Sequence, residues 1–288
     1  MSDVQMAWEA RAIKPLGAAR RRATGRRMSK SNLSLGAVWE ETVAFLKAEL
    51  SLVAPLSLLG FGLPMVALLL AVPADSAITG KLQPGPWMFW VIPCLFVSML
   101  GSLAVSALVL TPNISVRESI AIAIRRIPAG LGLAAFYVGL QVALSIPLAL
   151  ADLAEGGAGP ISTLVYLAGV AFMIWVFVRV MPIWAVVAER PQSSWASVTR
   201  AFALTRFCYV RLLALRFVML LAVVVTLIVL LIPIGAVTRL VGALSGNQNI
   251  GFVLSFVCMG IIVAGMVGTW TVFVALLYRR LEADNSGT

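Results

Sequence analysis

Six stretches of roughly 20 or more apolar residues run through this chain, and they limit its fold more than any other feature. They cover approximately residues 50–72, 87–110, 129–151, 161–187, 211–237 and 250–278, each bounded by charge, Pro, Gly or Asn. A helix rising about 1.5 Å per residue needs about 20 residues to cross a hydrocarbon layer about 30 Å thick. Backbone in lipid must satisfy its own hydrogen bonds, and these runs lack the alternation of barrel strands, so each is predicted to be a helix. With 61% apolar and 12% charged residues and a mean hydropathy of +0.99, a water-soluble fold is excluded. The expected fold class is all-α, a polytopic membrane bundle of six transmembrane helices over 33–282, between a basic arm (1–32) and a short polar tail (283–288).

Orientation follows from the basic residues, because Lys and Arg are retained on the cytoplasmic side. The arm carries Arg11, Lys14, Arg20, Arg21, Arg22, Arg26, Arg27 and Lys30. The second-to-third connection carries Arg117, Arg125 and Arg126, the fourth-to-fifth Arg190, Arg200 and Arg206, and the tail Arg279 and Arg280. The opposite connections hold only Lys81 and Arg239 beside Asp75, Asp152 and Glu155. Both termini are therefore expected in the cytoplasm, in the inner membrane of a bacterium. The net charge of +10 is accounted for by topology and attraction to anionic lipid, and no nucleic-acid partner is expected, since the Arg cluster lacks interleaved aromatics.

Three polar-started segments recur about 80 residues apart, each followed by two spans. They begin at Ser34, Ser115 and Ser194. The first places Leu35, Val38, Trp39, Val43, Leu46 and Leu50 on one helical face, with Glu40, Glu41 and Lys47 turned away. The second sets Val116, Ile120, Ile124 and Ile127 against Arg117, Glu118 and Arg125; the third sets Trp195, Val198 and Phe202 against Ser197, Arg200 and Arg206. Each reads as an amphipathic helix resting in the cytoplasmic interface, the alternative being a polar extension of the following span. The layout is then three pseudo-repeats of one interfacial helix plus two spans. The arm has no apolar run beside its basic cluster, which disfavours a secretory signal; Met28 is an alternative start, and otherwise the arm is a disordered cytoplasmic anchor.

The absence of histidine removes imidazole bases, His triads and His-ligated metals. Cys94, Cys208 and Cys258 stand singly in or beside apolar runs without ligand spacing, so no metal, haem or other cofactor is expected. Asn113-Ile-Ser115 matches a glycosylation sequon but falls on the expected inner side. No span has Asp or Glu at its centre, which weighs against a proton relay or ion-coupled carrier.

A charged group deep in a span is costly unless paired or wet, which singles out Arg179. If Pro182 ends the helix, Arg179 snorkels to the interface; if the helix continues, the guanidinium needs Glu189, Glu118 or Glu49. Arg211 and Arg216 read as interface anchors opening the fifth span. Ser98, Ser102 and Ser106 share one face of the second span, and Tyr137, Gln141 and Ser145 one face of the third, where they either line a narrow path or bond a neighbouring helix. Gly260, Ala264 and Gly268 form a small-residue stripe in the last span, for packing within the bundle or for a homodimer.

The stretch Val178-Arg-Val-Met-Pro-Ile-Trp-Ala-Val-Val-Ala-Glu189, followed by Ser197, Arg200-Ala-Phe-Ala-Leu-Thr-Arg206 and Arg211, resembles the YciC-like group of bacterial inner-membrane proteins. That group is related to the membrane domain attached to some glycerophosphodiester phosphodiesterases. Leu33-Ser-Leu-Gly-Ala-Val-Trp39 and the six-span layout are similar too, so the resemblance covers about residues 28 to 282. It carries over to Arg179, Pro182, Glu189, Leu204, Thr205 and Arg206; the chain departs at Ala201, where the family tends to Ser, and at Phe207, where it tends to Gly. The resemblance implies no catalysis here, because phosphodiesterase members hold their catalytic residues in a separate soluble domain. The expected function is non-enzymatic organisation of anionic lipid or of a membrane-protein partner by the cytoplasmic helices, with Arg179, Pro182, Glu189, Arg200 and Arg206 as structural or partner-binding residues. The alternative is a transporter or channel for a small or lipidic solute, lined by the serine and Gln141 faces.

Overall fold

The computed structural model describes residues 35–72, 85–112, 114–157, 159–190, 192–206 and 208–286. The basic arm with its alternative start, Asp75 and Lys81, the sequon residue Asn113, and Phe207 lie outside the described residues. Among the described residues every regular element is helical. The order is α1 (Leu35–Ser57), a π-helical turn (Leu58–Gly62), α2 (Leu63–Ala71), α3 (Met88–Leu110), α4 (Val116–Arg125) and α5 (Ile127–Glu155). Then follow α6 (Pro160–Arg179), α7 (Ile183–Glu189), α8 (Ser194–Thr205), α9 (Tyr209–Leu244) and α10 (Gln248–Ser286). Six helical stretches are long and apolar enough to cross a membrane: Leu35–Ala71, Met88–Leu110, Ile127–Glu155, Pro160–Glu189, Tyr209–Leu244 and Asn249–Ala283.

The proline positions explain where these stretches bend. Pro55 removes a helical donor from α1, and the helix departs from helical dihedrals upstream at Glu49 (φ −116°, ψ 20°). The first polar-started segment is thus joined to its span in one kinked helix. Pro64 cannot donate to the carbonyl of Gly60, and the turn before it widens so that Leu63 N–H bonds Leu58 O. Pro182 ends the fourth stretch early: α6 stops at Arg179, a short turn follows, and α7 starts afresh after Pro182. The polar end of the chain continues the last helix to Ser286 instead of forming a separate tail.

Small residues set how closely the helices approach. A Cβ on Gly60 would lie 2.6 Å from Gly101 Cα, so the π-helical turn and α3 touch backbone to backbone. Gly260 and Ala264 face Gly62, where a Cβ would meet Gly260 O at 3.0 Å and Ala264 Cβ at 3.2 Å. Gly268 lies against Ser57. The Gly260–Ala264–Gly268 stripe is therefore covered within the chain, by the end of α1 and the π-helical turn, rather than presented to a second copy. This core of α1, the π-helical turn, α2, α3 and α10 also receives α7, whose Ile183, Ala185, Val186 and Val187 are buried.

The remaining spans pack more loosely. α5 and α6 form a hairpin capped at one end by Glu155, whose carboxylate accepts the backbone N–H groups of Ile161 (2.9 Å) and Ser162 (2.8 Å). Gly156, with φ +71°, closes α5 in the left-handed region open to glycine. The most apolar stretch of α9 has none of its residues buried, against 44% in α3.

Candidate functional site

The ion pairs among the described residues gather where the start of α1, the ends of α7 and α10, and α8 come together. Carboxylates on three helices act as hubs. Glu41 on α1 accepts from Arg279 and from Arg280, the latter at 2.8 and 3.1 Å, and Arg280 also bonds Ala37 O at 3.1 Å. Glu282 on α10 accepts from Arg200 on α8 and from Arg190 at 3.1 Å. Glu189 accepts from the Tyr278 hydroxyl and lies 3.7 Å from Arg190. Hydrogen-bonded ions hold geometry better than isolated surface pairs, and here they tie α10 to α1, to α8 and to the end of α7.

Of the two expectations for Arg179, the helix does end before Pro182, and among the described residues no carboxylate pairs with the guanidinium, neither Glu189, Glu118 nor Glu49. Arg179 closes α6, where a cation favours the helix C-terminus. Its guanidinium lies over three rings, Trp175 at 5.3 Å, Tyr209 at 5.6 Å and Phe202 at 5.9 Å. Its Nη1 donates to Phe202 O at 3.3 Å, while Nε is buried without an acceptor. Thr205 Oγ1 donates to Ala201 O at 2.9 Å and reaches Arg179 O at 3.3 Å, so it locks α8 onto the end of α6. The expected carboxylate partners are replaced by aromatic faces because Pro182 breaks the helix and turns Glu189 toward α10. Leu204 is buried beside Thr205, and Ala201, fully buried, occupies a position with no room for a larger side chain to be exposed. Arg200 is held by Glu282, and Arg206 is exposed.

The short helices α4 and α8 turn small residues inward. α4 begins with a capping box in which Ser115 Oγ accepts from Glu118 N (3.3 Å) and Glu118 accepts from Ser115 N (2.8 Å). These bonds hold the Glu118 carboxyl below its usual range. α4 buries Ser119 and Ala123, whereas Ile120 and Ile124 are exposed at 38% and 53%. α8 likewise buries Ser197, Val198 and Ala201 and leaves Trp195 68% exposed. Small residues permit close contact with a neighbouring helix, and the bulky apolar ones are left on the outside. Ser194 Oγ on this helix donates to Ala129 O at 3.0 Å, joining α8 to the start of α5.

The two polar faces do not meet. Ser102 donates to Ser98 O at 3.0 Å within α3, and Ser106 is buried. Gln141 and Ser145 on α5 instead line a lateral cleft of about 710 Å³ with α6 and α9, to which α3 contributes nothing. Ser145 turns its hydroxyl to Val142 O at 2.9 Å. The cleft's one charged wall residue is Arg216, and this residue, Tyr278, Glu41, Glu282 and the rings around Arg179 were not foreseen as one set. The spacing Trp175 to Arg179 was the available signal, one helical turn apart. Among the described residues no group of three or more Cys, Asp or Glu side chains could hold a metal ion. Comparison of the chain with family models, with curated proteins and with solved structures gives no match.

Proposed function

We propose that the protein is a non-enzymatic, multi-pass protein of a bacterial cytoplasmic membrane, both termini cytoplasmic, that organises anionic lipid around its basic end. The observation that carries this reading is the outward face of α4 and α8. Ile120, Ile124 and Trp195 are exposed on helices that do not span, next to exposed Arg117, Arg125 and Arg206. In water such a face would be unfavourable; at a membrane interface the apolar groups enter the acyl boundary while the guanidinium groups meet phosphate. In this reading α4 and α8 bring this chemistry beside the second and third pairs of spans, while the first polar-started segment runs into its span as one helix kinked at Glu49. The likeness to the YciC-like group agrees with this reading and supplies no reaction.

The test is lipid selectivity in nanodiscs of mixed phosphatidylglycerol and phosphatidylcholine, read by electron spin resonance of spin-labelled lipid immobilised at the protein boundary. The combined variant Arg117→Glu, Arg125→Glu, Arg206→Glu is expected to reduce the preference for phosphatidylglycerol at least about fivefold, since each basic group near the surface contributes about 1 kcal/mol. An unchanged preference would overturn the reading. Ser102→Ala and Gln141→Ala are expected to leave it unaltered.

A further inference from the structure

We propose that the lateral cleft between α5, α6 and α9 is a binding site for a single anionic glycerophospholipid, with Arg216 holding the phosphate and the apolar walls holding an acyl chain. The proposal rests on the membrane reading above and adds a defined site to it. The cleft is lined by Leu144 and Leu148 of α5, Val170 and Ile174 of α6, and Phe217 and Leu220 of α9, among others. Along α6 it extends from Val165 to Val178, about 20 Å at 1.5 Å per residue, against about 15 Å for the hydrocarbon of one leaflet. It opens sideways from segments long and apolar enough to span, so acyl chains are the neighbours such a groove meets.

Arg216 identifies which lipid. It lies about 10 Å along α9 from Tyr209, within the span and within snorkelling reach of its end. Its guanidinium stacks on the Trp270 ring at 5.2 Å. Stacking covers one face of the guanidinium plane and leaves the rim of N–H donors directed outward. Among the described residues no carboxylate pairs with them and no hydrogen bond takes them up, Tyr137 being the polar neighbour that acts on the guanidinium electrostatically, in contrast to Arg190, Arg200, Arg279 and Arg280, each paired with a carboxylate. The same side chain also borders a second groove of about 570 Å³ between α9, α10 and Trp39. A cation at the junction of two apolar grooves, with its donors unclaimed, complements a phosphodiester that carries two chains.

Native mass spectrometry of the full chain released from nanodiscs tests this, using dioleoyl phosphatidylglycerol and dioleoyl phosphatidylcholine as probes. The wild-type protein is expected to retain one phosphatidylglycerol in preference to phosphatidylcholine. Arg216→Gln is expected to lower that retention about fivefold with the melting temperature unchanged, while Arg211→Gln, at the exposed start of α9, leaves it intact. Gly169→Phe provides a second variant that keeps Arg216: a Cβ at Gly169 meets nothing within 4 Å, so the ring fills the cleft without displacing a neighbour and is expected to abolish retention of both lipids. Equal retention of the two lipids, retention unchanged by both variants, displacement by glycerol phosphate lacking chains, or a dimer lost on Gly169→Phe would each overturn the proposal. If Arg216→Gln is silent while the α4 and α8 variant still reduces boundary selectivity, the cleft site fails alone; if both are silent, the reading of the basic end fails with it.

Discussion

The core built on α1, the π-helical turn, α2, α3 and α10 and the outer set α5, α6 and α9 are both made of helices apolar enough to span, the most apolar of them, α9, lying in the outer set, yet they pack in different ways. In the core, Gly60 meets Gly101 and Gly62 meets Gly260, and the backbones touch. In the outer set, Gly139, Gly169 and Gly235 have no neighbour within 4 Å of where a Cβ would stand. Lipid tails are as apolar as Leu or Val, so hydropathy provides no force that distinguishes a neighbouring helix from the bilayer. Close contact must come from shape: the bulky run through the middle of α9 offers little of it, and α9 meets α10 backbone to backbone near its end, where a Cβ on Gly251 would lie 2.5 Å from Thr238 O.

The sharpest way to break this contrast is to add a side chain to each region. Gly101→Leu forces α3 away from the π-helical turn and is expected to cost about 3 kcal/mol, at the upper end for overpacking, read as a lower unfolding temperature in detergent. Gly139→Leu is expected to leave that temperature within error. Next in size is Arg280→Ala, which removes the bonds to Glu41 and Ala37 that fasten α10 to α1. With a third of the Arg280 side chain exposed, the expected loss is about 1 kcal/mol, checked by the same melting curve.

Arg179 and Glu189 make separate contacts, the first among α6, α8 and α9 and the second between α7 and α10. Arg179→Leu removes contacts with Trp175, Phe202 and Tyr209, and Glu189→Gln weakens the bond to Tyr278. The two share no partner, so the double variant is expected to equal the sum of the singles within about 0.5 kcal/mol; a larger deviation would restore a direct clasp. The smallest effect is expected at Ser115→Ala, which removes the cap of α4 and is read as a slight loss of helical dichroism. Because Glu118 is held below its usual range, its contribution is complete above the ordinary glutamate value and lost as the pH falls through the lowered one. In Ser115→Ala that acid dependence should shrink without vanishing, since the backbone N–H of residue 115, the larger cause, still bonds the carboxylate.

The spans were legible because length and apolarity alone decide whether a helix crosses: four of the six runs lie inside the helical stretches, and the other two, 50–72 and 87–110, overrun theirs by one residue. Legible too was the break at Pro182, whose missing donor acts locally. The inward faces of α4 and α8 were not, since a pattern of Ile and Arg says which side is apolar but not whether protein or lipid covers it. Ser119 and Ala123 carried that information by their size. Arg179 stood out as a cation in an apolar run, but its rings come from three helices, and the Tyr278 that takes up Glu189 lies 89 residues further along the chain. Pairings over such separations leave no periodic trace.

The π-helical turn at Leu58–Gly62 has a consequence for how this first span tolerates change in length. Such a turn amounts to an ordinary helix carrying one surplus residue. Trimming a single residue there would relieve the widened ring and yield an uninterrupted rod, but everything from Leu63 to Ala71 would rotate by about 100° about its axis. The side of that segment that packs on α10, with Val66 against Gly260, would then turn away from it, and the molecule would gain local regularity while forfeiting the alignment on which that close contact depends.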